Sequence, residues 1–302
     1  MSERVLVIKH GALGDFVMAT GPFRAIRAHH PDAWIALLTT QPYAELGRLT
    51  GWFDEVWEDP RAPARDLAAL WRLRAKLRAP RFTHVYDLQT SDRSGFYRRL
   101  LPRPKPMWSG IARGASHPDR NPERGRMHTI DRQREQLRQA GIDEVPPPSL
   151  DWAGADVSRL VPAGPYALLV PGGAAHRPRK RWPVNRYAEL ARRLLDRGER
   201  PLVIGGPDER GLGAAIPAAR DLTGETTIPD LVELARGARL AVGNDTGPMH
   251  VCAIAGCRSV ALFSGESDPA RTAPRGRAVR ILRREPLTTL SVDEVWGAAR
   301  PD

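Results

Sequence analysis

Short aliphatic runs alternate along this chain with longer stretches whose apolar positions recur at helical spacing. Residues 4–8 (RVLVI) read as a buried strand, a glycine-containing loop follows, and a helical pattern covers 15–28. Runs at 34–38 and 84–87 read as further strands, separated by helical patterns near 42–49 and 64–78. Residues 102–126 are rich in Pro, Gly and Arg without a period, which predicts a long surface loop, and helix resumes over 129–140. The stretch 145–165, with three consecutive prolines and two Gly-containing breaks, has the chemistry of a linker. Beyond it come strands at 166–170, 201–204, 239–242 and 259–263, with helices near 184–197, 208–218, 229–236 and 247–255. Strands separated by helices argue for parallel sheets. The expectation is an α/β chain of two Rossmann-like doubly wound domains, 1–150 and 163–302, whose carboxyl-edge loops meet across a ligand cleft.

Composition agrees with two cores: 302 residues at 41% hydrophobic suit two domains of roughly 150 residues. The first apolar run is only four residues long before Lys9 and His10, and nothing approaches the ~20 apolar residues of a membrane span, so a cytoplasmic location is expected. Cys252 and Cys257, the only cysteines, lie in an apolar stretch and read as small buried side chains. Neither a disulfide nor a metal site is expected. The net charge of +11 admits a polyanionic partner, but only four of the 46 cations are lysine, a skew that genome composition alone produces. The charge is uneven: residues 93–138 hold twelve Arg or Lys against four acids, which marks where an anionic partner would bind.

Three loops carry chemistry. The first, Lys9 to Asp15, follows the first strand and opens the first helix; its glycines let backbone approach a ligand. It matches neither the dinucleotide GxGxxG nor the triphosphate-loop pattern. Asp15 fits two roles, a helix-terminal carboxylate or a catalytic one. The second, Pro171 to Pro183, sets a glycine pair before His176 and four cations, of which Lys180 suits a diphosphate; a solvated basic loop is the plainer alternative. The third, Gly243 to His250, opens a helix at a strand's carboxyl edge, an anion site by construction, with Asp245 or Thr246 as cap and His250 in the first turn.

These loops, with the Gly205 to Glu209 turn, resemble in order and spacing the motifs of glycosyltransferase family 9, the ADP-heptose:lipopolysaccharide heptosyltransferases, over nearly the whole chain. The resemblance implies the GT-B fold, an inverting mechanism, and no required metal or cofactor. It puts the family's catalytic aspartate at Asp15 and its diphosphate-binding lysine at Lys180. Glu209 matches the carboxylate that holds the nucleotide ribose, and Asp245, Thr246, Gly247 and His250 match residues that hold the sugar and phosphates. The first domain then binds acceptor and the second the nucleotide-diphosphate sugar. An anionic glycolipid or oligosaccharide acceptor would suit the Arg-rich stretch, where Arg113, Arg120 and Arg124 are the candidates, with peripheral contact at the cytoplasmic face of the inner membrane.

Other readings have less behind them. A nucleotide-dependent oxidoreductase lacks its GxGxxG. A nucleic-acid partner rests on charge alone, without aromatic interleaving or a recognised motif, and is not expected. A catalytically silent nucleotide-sugar-binding protein of the same fold stays open, because Asp15 fits a purely structural role.

Overall fold

The computed structural model describes residues 3–63 and 65–300. The chain divides into two compact units, Met1–Trp152 and Ala153–Asp302. The first is built on a six-stranded sheet of β1 (Arg4–Ile8), β2 (Trp34–Thr39), β3 (Glu55–Glu58), β4 (His84–Asp87), β5 (Met107–Gly110) and β6 (His117–Pro118). Every pairing is parallel and the order is β3-β2-β1-β4-β5-β6. The second unit holds β7 (Tyr166–Val170), β8 (Arg200–Val203), β9 (Arg220–Asp221), β10 (Leu240–Asn244), β11 (Ser259–Phe263) and β12 (Val279–Arg283). Its order, β12-β11-β10-β7-β8-β9, is the same doubly wound arrangement again.

The central strands are largely apolar because helices cover both faces. Val5, Leu6, Val7 and Ile8 of β1 are fully buried, as are Leu168 and Leu169 of β7. Strand order reverses beside β1 in one sheet and beside β7 in the other. The loops after β1, β7 and β10 therefore emerge where ligands bind in this architecture.

Several elements depart from the sequence expectation. The 102–126 segment is not one long loop, since it contains β5 and β6: Trp108 is fully buried, and His84, Val85 and Tyr86 of β4 pair with Met107, Trp108 and Ser109. The helix expected over 208–218 is two short 3-10 turns, Pro207–Glu209 and Gly213–Ala215. Gly211 there has φ +91°, and a Cβ on Gly213 would lie 2.1 Å from the Asp221 carboxyl carbon, so the chain folds where only glycine fits. The 15–28 pattern is two helices, Leu13–Met18 and Thr20–His29, joined at Ala19. Unforeseen are β3, β9, β12 and the helices Asp92–Leu100 and Val292–Ala299. No helix among the described residues is long and apolar enough to cross a membrane.

Candidate functional site

In the first unit, a candidate site grows from the carboxyl end of β1, where Ile8 pairs with Leu38 on one side and Asp87 on the other. The loop that follows is pinned to both neighbours. Lys9 Nζ donates to the Leu88 carbonyl (3.2 Å), the His10 amide donates to Gln89 Oε1 (2.9 Å), and the Thr40 hydroxyl donates to the His10 carbonyl (2.6 Å). Gly11, at φ +120°, passes so near Tyr43 that a Cβ would lie 2.1 Å from its ring. Ala12 then serves as N-cap of Leu13–Met18 with no side-chain cap bond, and half-buried Asp15 stands in the first turn. The cap position thus belongs to Ala12 and not to Asp15.

Two buried charges near Asp15 were not singled out from the sequence. Lys9 is 3% exposed; burial pushes its ammonium down, the Asp15 and Asp87 carboxylates pull it back up, and Arg132 adds to the depression. Burial pushes Asp87 up to about 6, against the opposing bonds from the Thr90 amide and the Ser94 hydroxyl. The available signal was a charged residue ending each of two adjacent apolar runs.

Beside this loop is a cavity of about 470 Å³, lined by His10, Gly11, Tyr43, Asp59, Arg61 and Gln89 among others. His10 Nε2 lies 3.0 Å from Asp59 Oδ2, and the Tyr97 hydroxyl donates to the same oxygen. Burial pushes Asp59 up, but bonds from His10, Tyr97 and the Arg61 amide outweigh it and hold the carboxyl below the ordinary range. The Arg-rich stretch is less uniform than its composition. Arg113 and Arg120 are exposed, whereas Arg124 is half-buried and bonds through Nε to the buried Asp119 carboxylate.

In the second unit, a candidate site gathers at β7 and β10. Asn244, fully buried at the end of β10, fastens three segments. Its Oδ1 accepts from the Trp182 amide (2.9 Å) and the Tyr187 hydroxyl (3.1 Å), while its Nδ2 donates to the Pro171 and Gly172 carbonyls (2.8 and 3.0 Å). The glycine pair is held from the other side by Glu209. That carboxylate accepts from the Gly173 amide (2.6 Å) and the Gly206 amide (2.9 Å), and a Cβ on Gly172 would lie 1.9 Å from Glu209 Oε1.

Lys180, only 13% exposed, places Nζ 2.5 Å from Asp245 Oδ2, which also accepts from the Ser267 hydroxyl (2.6 Å). Asp245 is therefore occupied as the lysine's partner and does not cap. Thr246 holds the N-cap position of Gly247–Ile254 without a side-chain cap bond, and His250 is buried on that helix. The structure brings Lys180, Asp245, Thr246 and Gly247 to one helix start, with Glu209 of the Pro207–Glu209 turn holding the adjoining glycine loop, while His176 is exposed. A lysine poised at a helix N-terminus beside glycine backbone is suited to phosphate groups. Asn244 and Ser267 were missed as positioning residues, because their partners lie far away in sequence.

The chain is similar to lipopolysaccharide heptosyltransferase 2 of Escherichia coli K12, with 28% identity covering 93% of this chain and 88% of that protein. It is similar to the Salmonella typhimurium LT2 protein of the same name, again at 28% identity over 93% and 88%. The solved structure of E. coli ADP-heptose lps heptosyltransferase II shares the fold, with a TM-score of 0.80 at 22% identity over 98% of this chain and 97% of that one. A glycosyltransferase family 9 structure from Veillonella parvula DSM 2008 also has a TM-score of 0.80, at 20% identity over 98% and 95%. The fold is thus GT-B, as the motifs implied. Residues 70–293 match the family model for glycosyltransferase family 9 (heptosyltransferase), and with motif loops on both sheets in the family's order, the chain belongs to that family.

Proposed function

We propose that this chain transfers a heptose, or a similar sugar, from an ADP-sugar to a hydroxyl of a lipopolysaccharide-core-type acceptor, with inversion and without a metal. In this reading the first unit, residues 1–150, binds the acceptor and the second, 163–302, binds the donor. The observation that carries the proposal is the Lys180–Asp245 pair at the start of Gly247–Ile254, next to the glycine loop held by Glu209. Departure of a nucleoside diphosphate needs positive charge at its phosphates, and a lysine ammonium with a helix terminus provides it without a divalent ion. His250 adds a side chain on the same helix.

Asp15 is the proposed base. It takes the proton of the acceptor hydroxyl as that oxygen bonds to the anomeric carbon, and the bond to the diphosphate breaks with its electron pair leaving on ADP. Displacement from the face opposite the leaving group inverts the anomeric centre. Lys9, buried and held by the Leu88 carbonyl, interacts electrostatically with the Asp15 carboxylate on the base side. Arg113 and Arg120, exposed, would meet the acceptor's phosphates and carboxylates at the membrane surface, with Arg124 in the same stretch but tied to Asp119.

The test is transfer from ADP-heptose to a purified heptose-deficient core acceptor in excess chelator, following ADP release and assigning the product's anomeric configuration by NMR. Release of ADP matched by an inverted glycoside is expected. A retained configuration, or activity restored only by added divalent ion, would overturn the mechanism. ADP-heptose binding without transfer to any core acceptor would favour a silent nucleotide-sugar-binding protein.

A further inference from the structure

Three of the chain's eight histidines, His29, His30 and His84, lie together near the start of β1, at the other end of that strand from the Lys9–Asp15 loop. Glu3 immediately precedes β1, His84 opens β4, and His30 is the C-cap of the helix Thr20–His29. The Glu3 carboxylate bridges two of these rings: Oε2 lies 2.8 Å from His30 Nδ1 and Oε1 lies 2.9 Å from His84 Nδ1. The His30 and His84 ring centroids are 5.1 Å apart, His29 is 4.7 Å from His30, and both His29 and His117 act electrostatically on His84. Among the described residues, Glu3, His30 and His84 are the one group of three such side chains whose ligand atoms all lie within 4.8 Å of one another.

We propose that Glu3, His30 and His84 bind one divalent first-row transition ion of the zinc class through two imidazole Nδ1 atoms and a carboxylate oxygen, with water completing the shell. Two nitrogens and one oxygen suit a borderline ion better than calcium or magnesium, which prefer oxygen throughout. His30 carries the outer contact such a ligand needs, because its Nε2 lies 2.8 Å from the Tyr86 hydroxyl. Without the ion, Nδ1–H donates to Glu3 and the tyrosine hydroxyl donates to Nε2. When the ion takes the Nδ1 lone pair, the ring proton moves to Nε2 and the same hydroxyl accepts it. A tyrosine can serve both states and a phenylalanine neither.

The location says what the ion does. β1 starts at Arg4, and the Lys9–Asp15 loop leaves its other end, roughly 16 Å away at about 3.3 Å per residue. The ion fastens the start of β1 to the end of the helix Thr20–His29 and to β4; it takes no part in sugar transfer, and the site stands whether or not the transferase reading does.

The experiment uses the tag-free full chain, stripped with chelator, and no sugar substrate. Titration with Co²⁺ should develop the visible absorption of a nitrogen-ligated low-coordinate ion, saturate at one equivalent, and be reversed by Zn²⁺. His84→Gln, at the half-exposed rim, should lower affinity at least tenfold, and Tyr86→Phe by about tenfold, the usual scale for a lost outer contact. Circular dichroism checks that each variant is folded, and Glu3→Gln replaces any that is not. Binding below one equivalent in the wild type overturns the proposal, as does equal binding by wild type and the folded ligand variants, which would assign the ion to other surface groups.

Discussion

Replacing Asn244 by Ala should cost far more than a surface change. The wild-type amide is fully buried and makes two bonds as acceptor and two as donor, joining the end of β10 to Trp182, Tyr187 and the Pro171–Gly172 backbone. The Tyr187 hydroxyl retains a bond to the Val170 carbonyl at 3.3 Å, so its loss is partial. The Trp182 amide and the two loop carbonyls lose a buried partner at roughly 1–3 kcal/mol for each group left fully unsatisfied, and less for carbonyls that admit water. A total of about 3–5 kcal/mol follows, which for a unit of this size lowers Tm by roughly 6–20 °C. Differential scanning calorimetry of wild type and variant measures this directly. Because the same bonds shape the glycine loop, ADP affinity measured by titration calorimetry well below the variant's Tm should fall as well. A stability loss under about 0.5 kcal/mol would refute the reasoning, since it would mean that water or neighbouring groups replace all four bonds. A large stability loss with unchanged ADP affinity would separate the fold role of Asn244 from any role in shaping the site.

Asp15→Asn should lower kcat by roughly a hundredfold or more while leaving ADP affinity unchanged, the scale of a lost general base; steady-state kinetics with calorimetry would expose the opposite pattern. Lys180→Ala should weaken ADP about 10- to 100-fold, from a charge-assisted contact of ~1.5–3 kcal/mol, and unchanged affinity would leave the loop as solvated surface. Arg113→Gln with Arg120→Gln should raise the acceptor KM and flatten its dependence on salt without altering donor binding; Arg124 is spared because it holds Asp119. Asp87 gives a prediction with a defined sign. Its folded pKa of about 6 stands above the ordinary 3.8, so the folded state binds more protons than the unfolded one between those values. Relative to Asp87→Asn, wild type should therefore lose stability as pH rises from about 4 to 6, by on the order of 3 kcal/mol at most. Parallel Tm profiles for the two proteins would contradict this.

How far the sequence revealed this molecule depends on which physical signal each part leaves behind. The central strands were legible because burial on both faces makes them continuous apolar runs, and the loops after β1, β7 and β10 because glycine and charge interrupt those runs abruptly. β5 was hidden, since four residues holding a single large apolar anchor, Trp108, disappear among prolines and arginines. The helical pattern over 208–218 misled in the opposite direction: apolar spacing persisted there, but Gly211 and Gly213 broke the backbone. Within the loops, candidate residues for the chemistry could be proposed, whereas the side chains that hold them could not. Asn244 meets Trp182 across 62 residues and Pro171 across 73, and Ser267 reaches Asp245 across 22, so nothing local announces them.

The matching strand orders of the two sheets have a consequence for how this enzyme divides its labour. The Asp15 loop and the Lys180 loop both follow the first strand of a doubly wound sheet, so they occupy the same address in two copies of one design. One address ended up with an anion and the other with a cation. The architecture therefore supplies a place for a reactive group without dictating its sign, and each loop is free to diverge without disturbing the core beneath its partner. On the proposed division of acceptor and donor between the units, the two preferences become separately adjustable traits, and exchanging one loop between relatives should change one of them at a time.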